Sequence, residues 1–321
     1  MRKPLFSVNS FSAIARFLFL SAFACLSASQ IAFGQTAPER YTVPSDGHPM
    51  AVWAKRPANP TRVVLLLHGR TWSALPDFDL QVPGEQLSLM DALRDQGYAV
   101  YGLDLRGYGG TPRDSTGWLT PERAAADVAA VLKWMNSRHS NLEKPVVFGW
   151  SYGCLSAQLC AQAHPELVSG LILFGYPGFA GKPWPGYQDA PKPAYRKNTA
   201  EAAASDFITP GSISQKAIDA YVKAALAADS VRVDWRRLDE WHRLDPAKVT
   251  TPLLLLDGQY DPVVERYTQI DLFTRLGTAD RQWVVIPGGD HAAFMETPKP
   301  LFLRVLTDFI NRIGLMRGSG G

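Results

Sequence analysis

The sequence predicts an α/β fold: a mostly parallel sheet with helices on both faces, interrupted late by a helical insertion. Three observations carry this. Short, continuous apolar runs rich in β-formers occur at 63–67 (VVLLL), 99–103 (AVYGL), 146–148 (VVF), 171–174 (LILF), 253–256 (LLLL) and 283–286 (WVVI). Such runs suit strands buried on both faces, as in a parallel sheet. Segments with helical spacing fall between them, over some 250 residues, and this alternation is that of a layered α/β domain. The interval 176–249 breaks the rhythm, is too long for a connecting loop, and reads as an inserted helical cap.

The N-terminus comes first and stands apart. Arg2, Lys3 and Arg16 precede the apolar run 17–26 (FLFLSAFACL), and Ala32 and Gly34 are placed for cleavage before Gln35, with Ser27 and Ser29 as a second option. Ten apolar residues are too few to span a bilayer, so residues 1–35 read as a cleaved secretory signal. Cys25 follows Ala22-Phe23-Ala24, a poor approach to a lipidation site.

A leading antiparallel pair is expected at 40–43 and 50–54 around Ser45-Asp46-Gly47. Thr120 followed by Pro121 opens a helix whose stripe is Val128, Val131, Leu132 and Met135. The stretch CLSAQLCAQAH reads as a helix ending at Pro165, and Phe302, Val305, Leu306, Phe309, Ile310 and Ile313 repeat at helical spacing behind Pro300. Within the insertion, 214–228 and 233–241 read as helical. The organisation is therefore a signal (1–35), a first core segment (36–175), the cap (176–249) and a second core segment (250–316), with RGSGG as a frayed end.

Composition narrows the function. The chain has 321 residues, 33 basic and 30 acidic. Three of the basic residues lie in 1–35, which carries no acid, so the remainder balances at 30 against 30. Nothing argues for nucleic acid or an anionic membrane as partner. Of the three cysteines only Cys154 and Cys160 lie beyond the signal. Six positions apart on a helix, they sit about 9 Å apart by helical rise and cannot bridge. An exported chain with a large core and no disulfide is compatible with the periplasm.

The stretch GWSYG (149–153) lies between the apolar run PVVF and the helical CLSAQLCAQAH. Ser151 is thus placed on a strand-to-helix turn, whose strained backbone Gly149 and Gly153 make possible. That turn lifts the serine oxygen above the sheet and sets a helix N-terminus beneath developing negative charge. A serine on such an elbow takes its acid and base from later in the chain, in the order Ser, Asp or Glu, His. Of the six histidines, His291 in PGGDHAAF alone lies beyond the last core acids. His48, His139 and His164 fall at surface turns and helix ends, and His242 falls in the insertion. In LLLLDGQYDPVV, Asp261 lies out on the loop where it can reach His291, whereas Asp257 sits at the strand end beside Gly258 and shapes the turn. Asp290 adjoins the histidine, and sequence neighbours point apart. For the oxyanion, the turn His68-Gly69-Arg70 supplies the backbone N–H of Arg70, joined by that of Tyr152. Each such donor contributes about 3 kcal/mol of transition-state stabilisation. His68 reads as a structural turn residue, as do Asp104 and Arg106 in DLRGYGGT, whose glycines are misplaced for phosphate binding.

In order and spacing, HGR, DLRGYG, GWSYG, GQYD and DH make the chain resemble the α/β-hydrolase superfamily, specifically its capped serine esterases, over about 63–313. The resemblance implies an eight-stranded sheet with an antiparallel second strand and a cap inserted after the sixth. It also implies Ser151, Asp261 and His291 as a catalytic triad. Haloalkane dehalogenases and epoxide hydrolases carry Asp where this chain has Ser151. Cutinase-like polyester hydrolases lack a cap and usually carry disulfides, and HGRTW departs from the HGG-P-G pattern of proline iminopeptidases.

The expected function is an exported serine hydrolase, periplasmic or extracellular, cleaving small-to-medium apolar or aromatic carboxylic esters through an acyl-enzyme. Neither metal nor organic cofactor is implied, and no stable membrane insertion remains after signal cleavage. A peptidase or amidase with the same triad is the first rival, and a noncatalytic binding protein of the same fold the second. Phe179, Trp184, Tyr187, Tyr195, Tyr221, Trp235 and Trp241 mostly pack the cap, and Trp72 is placed to wall the pocket.

Overall fold

The computed structural model describes residues 37–178 and 188–318, with side chains through 313. The signal segment, Phe179, Trp184, Tyr187 and the last three residues of RGSGG lie outside them. Strand β1 (Glu39–Ser45) pairs with β2 (His48–Lys55) in a hairpin closed by Asp46 and Gly47. Both turn residues have positive φ, 48° and 72°, which a two-residue turn matching strand twist requires. The remaining strands are β3 (Arg62–Leu67), β4 (Tyr98–Leu103), β5 (Val146–Trp150), β6 (Gly170–Phe174), β7 (Leu253–Gly258) and β8 (Arg281–Ile286). They form one eight-stranded sheet in the order β1-β2-β4-β3-β5-β6-β7-β8. Strand β2 runs antiparallel to both its neighbours, and every pairing from β4 to β8 is parallel.

Alternation along each strand sorts the core into two layers. Val63, Leu65 and Leu67 join Leu253 and Leu255 on one face, under helices α3 (Pro121–Arg138) and α4 (Tyr152–Ala163). Val64, Leu66, Phe148, Leu254 and Leu256 face the other way, against α2 (Leu89–Asp95) and α8 (Lys299–Gly318). The expected cap of α3 is present, with the Thr120 hydroxyl accepting from the Arg123 N–H at 3.3 Å and Pro121 in the first turn. Both Cys154 and Cys160 are buried free thiols. Strand β8 differs from the expectation of burial on both faces: it is the sheet edge, and Val285 is 49% exposed. Among the described residues outside the insertion, three α-helices have no counterpart in the sequence reading: α1 (Ala74–Phe78), α2 and α7 (Arg266–Arg275).

The described part of the 176–249 insertion holds α5 (Ala200–Ala204) and α6 (Gln215–Ala228), the latter as expected and capped by Ser214. The stretch 233–241 is not the α-helix its spacing suggests. Asp234–Trp235 pairs in parallel with Trp118–Leu119, and a 3₁₀ helix follows at Leu238–Arg243. Arg237 separates them with φ of 53°, a left-handed turn no α-helix can contain. The insertion is bonded to loops that follow three core strands. Asp229 accepts from the N–H groups of Ser73 and Gly109, both at 2.8 Å, and Asp290 accepts from Thr209 N–H at 2.7 Å.

Phe148 lies at the centre of an aromatic layer, its ring centroid 6.0–6.5 Å from those of Phe78, Phe174, Phe294 and Phe302. Removing it leaves a cavity in a layer that cannot collapse. Phe148→Ala should cost about 3–5 kcal/mol in urea unfolding, while Tyr267→Ala, at a residue 85% exposed, should leave the midpoint within error.

Candidate functional site

Parallel register brings the C-terminal ends of β3, β5, β6 and β7 to one edge, with Leu67 opposite Gly149, Gly149 opposite Leu173, and Phe174 opposite Leu256. Arg70 and Trp72 follow β3, Ser151 and Tyr152 follow β5, Asp261 follows β7, and His291 follows the neighbouring end of β8, where Ile286 lies opposite Gly258. Ser151 turns the chain from β5 into α4 with φ 53° and ψ −122°, a strained conformation for a residue with a side chain. Its N–H is held by the carbonyl of Phe174 at 2.9 Å. A methyl at Gly153 would stand 2.3 Å from the Leu67 carbonyl oxygen, and one at Gly149 would stand 2.7 Å from the oxygen of Gly153. Close packing therefore forces glycine on both sides of the serine. It also draws the loop after β3 inward, so that a methyl on Gly69 would lie 3.6 Å from Cβ of Ser151. Arg70 and Tyr152 thereby flank Ser151, with the Tyr152 N–H at the first position of α4.

His291 and Asp261 meet, Nδ1 to Oδ2 at 2.8 Å, with both side chains buried. The other Asp261 oxygen accepts from Val263 N–H at 2.9 Å, which fixes the carboxylate. Two supports were not foreseen. Trp150, next to the serine, donates its indole N–H to the His291 carbonyl at 2.7 Å and so ties the histidine loop to the elbow. Gly175, at φ 61°, leaves the space the pair occupies: a methyl there would stand 2.9 Å from Asp261 Oδ2 and from His291 Nδ1. Only the tryptophan inside the GWSYG motif could have hinted at the first.

The rejected residues are engaged elsewhere. Asp257 accepts from the Trp283 indole at 2.7 Å, and burial pushes its carboxyl up to about 7. Asp290 turns to Thr209 and to Ala292 N–H. His68 is fully buried, accepts from Leu105 N–H at its Nε2 (3.1 Å) and donates from Nδ1 to the Gly69 carbonyl (2.8 Å). Burial holds its pKa at about 4, so it is a neutral strut. His48, His139, His164 and His242 bond to Pro112, Tyr101, Glu166 and Asp239 respectively.

A family model described as serine aminopeptidase, S33, matches residues 58–298. The chain belongs to this α/β-hydrolase family. Among curated proteins, the pimeloyl-(acyl-carrier protein) methyl ester esterase of Aeromonas hydrophila is 27% identical over 244 residues, covering 66% of this chain and 85% of that protein. A solved serine hydrolase involved in carbazole degradation superposes with a TM-score of 0.61 at 20% identity, covering 86% of this chain and 99% of that one. An esterase from Thermogutta terrifontis gives 0.58 at 20% identity, covering 87% and 100%. These superpositions speak to the fold, and membership of the family makes the protein a hydrolase.

Beside the triad positions this hydrolase buries a second acidic group. The Tyr221 hydroxyl lies 2.9 Å from Asp77 Oδ1 and 3.1 Å from Asp206 Oδ2. A phenol has one proton to give, so one carboxyl must supply another. Burial, reinforced by the charge of Asp206, pushes Asp77 well above the carboxylate range, and burial raises Asp206 too, so the pair holds its proton above the usual pH. Trp72, only 2% exposed, also faces Asp206, whose carboxyl is pushed up by burial. The insertion thus reaches the site through Asp206 and Tyr221. Nothing in the local sequence distinguishes these residues from ordinary helix polarity.

Asp261→Asn should lower turnover by orders of magnitude and Asp257→Asn only a few-fold, both measured as kcat/KM on one ester. The Asp257 carboxyl is raised from 3.8 to about 7 in the folded chain. It therefore lends stability below pH 4 that is lost as pH rises through 7. Asp257→Asn lacks that loss, so its urea midpoint relative to wild type should climb between pH 4 and pH 8.

Proposed function

We propose that the protein is a serine hydrolase of carboxylic esters that works through an acyl-enzyme. His291 takes the proton of Ser151 as the serine attacks the ester carbonyl. Asp261 holds the imidazole in the tautomer that leaves Nε2 free to accept, and stabilises the charge that forms. The N–H groups of Arg70 and Tyr152 receive the oxyanion, His291 protonates the departing alcohol, and water then releases the acid. The observation that carries this reading is the 2.8 Å contact of His291 with Asp261 at the sheet edge where Ser151 is held in its strained turn. The esterase activities named for the Aeromonas and Thermogutta proteins support esters as the substrate class.

The family description favours a second reading, an aminopeptidase or amidase using the same three residues. Matched ester and amide substrates separate the two, and faster amide turnover would select the second. A binding protein without activity would not react with a fluorophosphonate probe.

The insertion acts in this proposal as a cap, with Trp72 walling a small-to-medium, largely apolar pocket. Residues 1–35 direct export and are removed, leaving the enzyme periplasmic or extracellular. N-terminal sequencing of the native protein should begin near Gln35, and a start at Met1 would reject export.

Ser151→Ala and His291→Ala should each lower kcat by several orders of magnitude with an unchanged melting profile. Fluorophosphonate labelling should be lost in Ser151→Ala. Across acyl lengths, kcat/KM should peak at short to medium chains, and a preference for palmitoyl or for an insoluble polyester would refute the bounded pocket.

A further inference from the structure

The turn His68-Gly69-Arg70 is held by bonds on successive peptide units, and one of them leads back to the insertion. No peptide bond of the described residues is cis, so each N–H along the turn points away from the carbonyl of its own peptide unit. The Gly69 carbonyl is taken by His68 Nδ1 at 2.8 Å, which turns the Arg70 N–H to the opposite side. The Arg70 carbonyl is taken by the Tyr108 hydroxyl. The Gly69 N–H donates to Asp77 Oδ2 at 3.4 Å. That contact is long, so it directs the turn only if the carboxyl is itself firmly placed.

Asp77 is placed from the insertion. Its Oδ1 meets the Tyr221 hydroxyl at 2.9 Å, and the same hydroxyl meets Asp206 Oδ2 at 3.1 Å. Tyr221 is buried on α6, edge-on to the Phe207 ring at 5.0 Å, and Asp77 is buried on α1. A chain of bonds thus runs from Asp206 through Tyr221 and Asp77 to Gly69, beside the nucleophile. Charge decides whether such a chain can serve a turn that is to receive an oxyanion. Two buried carboxylates there would oppose negative charge developing at the Arg70 N–H. One proton held between the carboxyls and the phenol removes one of those charges. It also satisfies the oxygens: Asp77 Oδ2 remains an acceptor for Gly69, while that proton and the phenolic hydrogen fill the two shorter contacts in either order. Burial pushes both carboxyls up, in keeping with a proton kept there.

We propose that Asp77 and Tyr221 are positioning residues for the oxyanion turn, held with Asp206 around one shared proton, so that the insertion helps to aim the Arg70 N–H. The proposal rests on the hydrolase reading above and gives the insertion a role beyond covering the pocket. Asp77 acts through Gly69, where an added methyl would lie 3.6 Å from Cβ of Ser151.

The test reads kcat and KM separately on one soluble ester, with active serine counted by fluorophosphonate labelling. Tyr221→Phe removes a single oxygen and keeps the ring on Phe207. It should lower kcat per labelled serine about tenfold to a hundredfold, the scale of a misaimed group, and leave KM within about threefold. Asp77→Leu should do the same. Asp77→Asn should recover most of that rate, since its amide offers an oxygen to Gly69 and an N–H to the phenol. If Asp77→Leu does not fold, Tyr221→Phe is the reference for that recovery. The shared proton has its own readout: the infrared difference between wild type and Asp77→Asn at neutral pH, where ordinary carboxyls are ionised, should contain one protonated-carboxyl band. An unchanged kcat in folded Tyr221→Phe, a loss confined to KM, or no recovery by Asp77→Asn would overturn the positioning role. A difference spectrum without the band would overturn the shared proton. Undiminished turnover by Ser151→Ala with the band still present would instead overturn the hydrolase reading.

Discussion

There is no room for a side chain at Gly153. The helix that begins at Tyr152 presses its first turn onto the carbonyl of Leu67, where even a methyl would stand 2.3 Å away. From this contact follow the strain at Ser151, the inward course of His68-Gly69-Arg70, and the flanking of the serine by Arg70 and Tyr152. Backbone strain at one residue is tolerated because its surroundings over-determine it. Here those surroundings are β3 on one side and the Phe174 carbonyl on the other.

The same edge carries the acid and the histidine, but a different device aligns them. Trp150 belongs to the buried end of β5 and reaches across to the His291 carbonyl, so the elbow is bonded directly to the histidine loop. Gly175 contributes by lacking a side chain exactly where imidazole and carboxylate meet, and its N–H is taken up by Leu256. The insertion adds a third layer, anchored by Asp229, Thr209 and Tyr221 to loops of the core.

What was legible in the sequence depended on the range of the interaction. The strands showed as apolar runs, and the pairing of His291 with Asp261 followed from chain order along parallel strands. Asp257 was separable from Asp261 because a strand terminus and a loop impose different directions. By contrast, the Tyr221 contact with Asp77 spans 144 residues, and the course of 229–235 is set by bonds from Asp229 and Trp235 to distant loops. No local pattern announces either. The stretch 233–241 misled for another reason: its spacing is helical, but Arg237 adopts a left-handed turn so that Trp235 and Trp241 can pack on Tyr152.

The bond from Trp150 to His291 joins residues 141 positions apart. During synthesis β3 and β5 can pair and the elbow can form well before β8 exists. The acid and the histidine both lie in the last quarter of the chain, and the histidine loop docks only after the edge strand has joined the sheet. Long-range parallel pairing of this kind is slow, since loop closure precedes its reward. A nascent chain therefore holds Ser151 in its strained turn before the histidine and carboxylate that come to share its edge have been made, and the arrangement is completed only when the polypeptide nearly is.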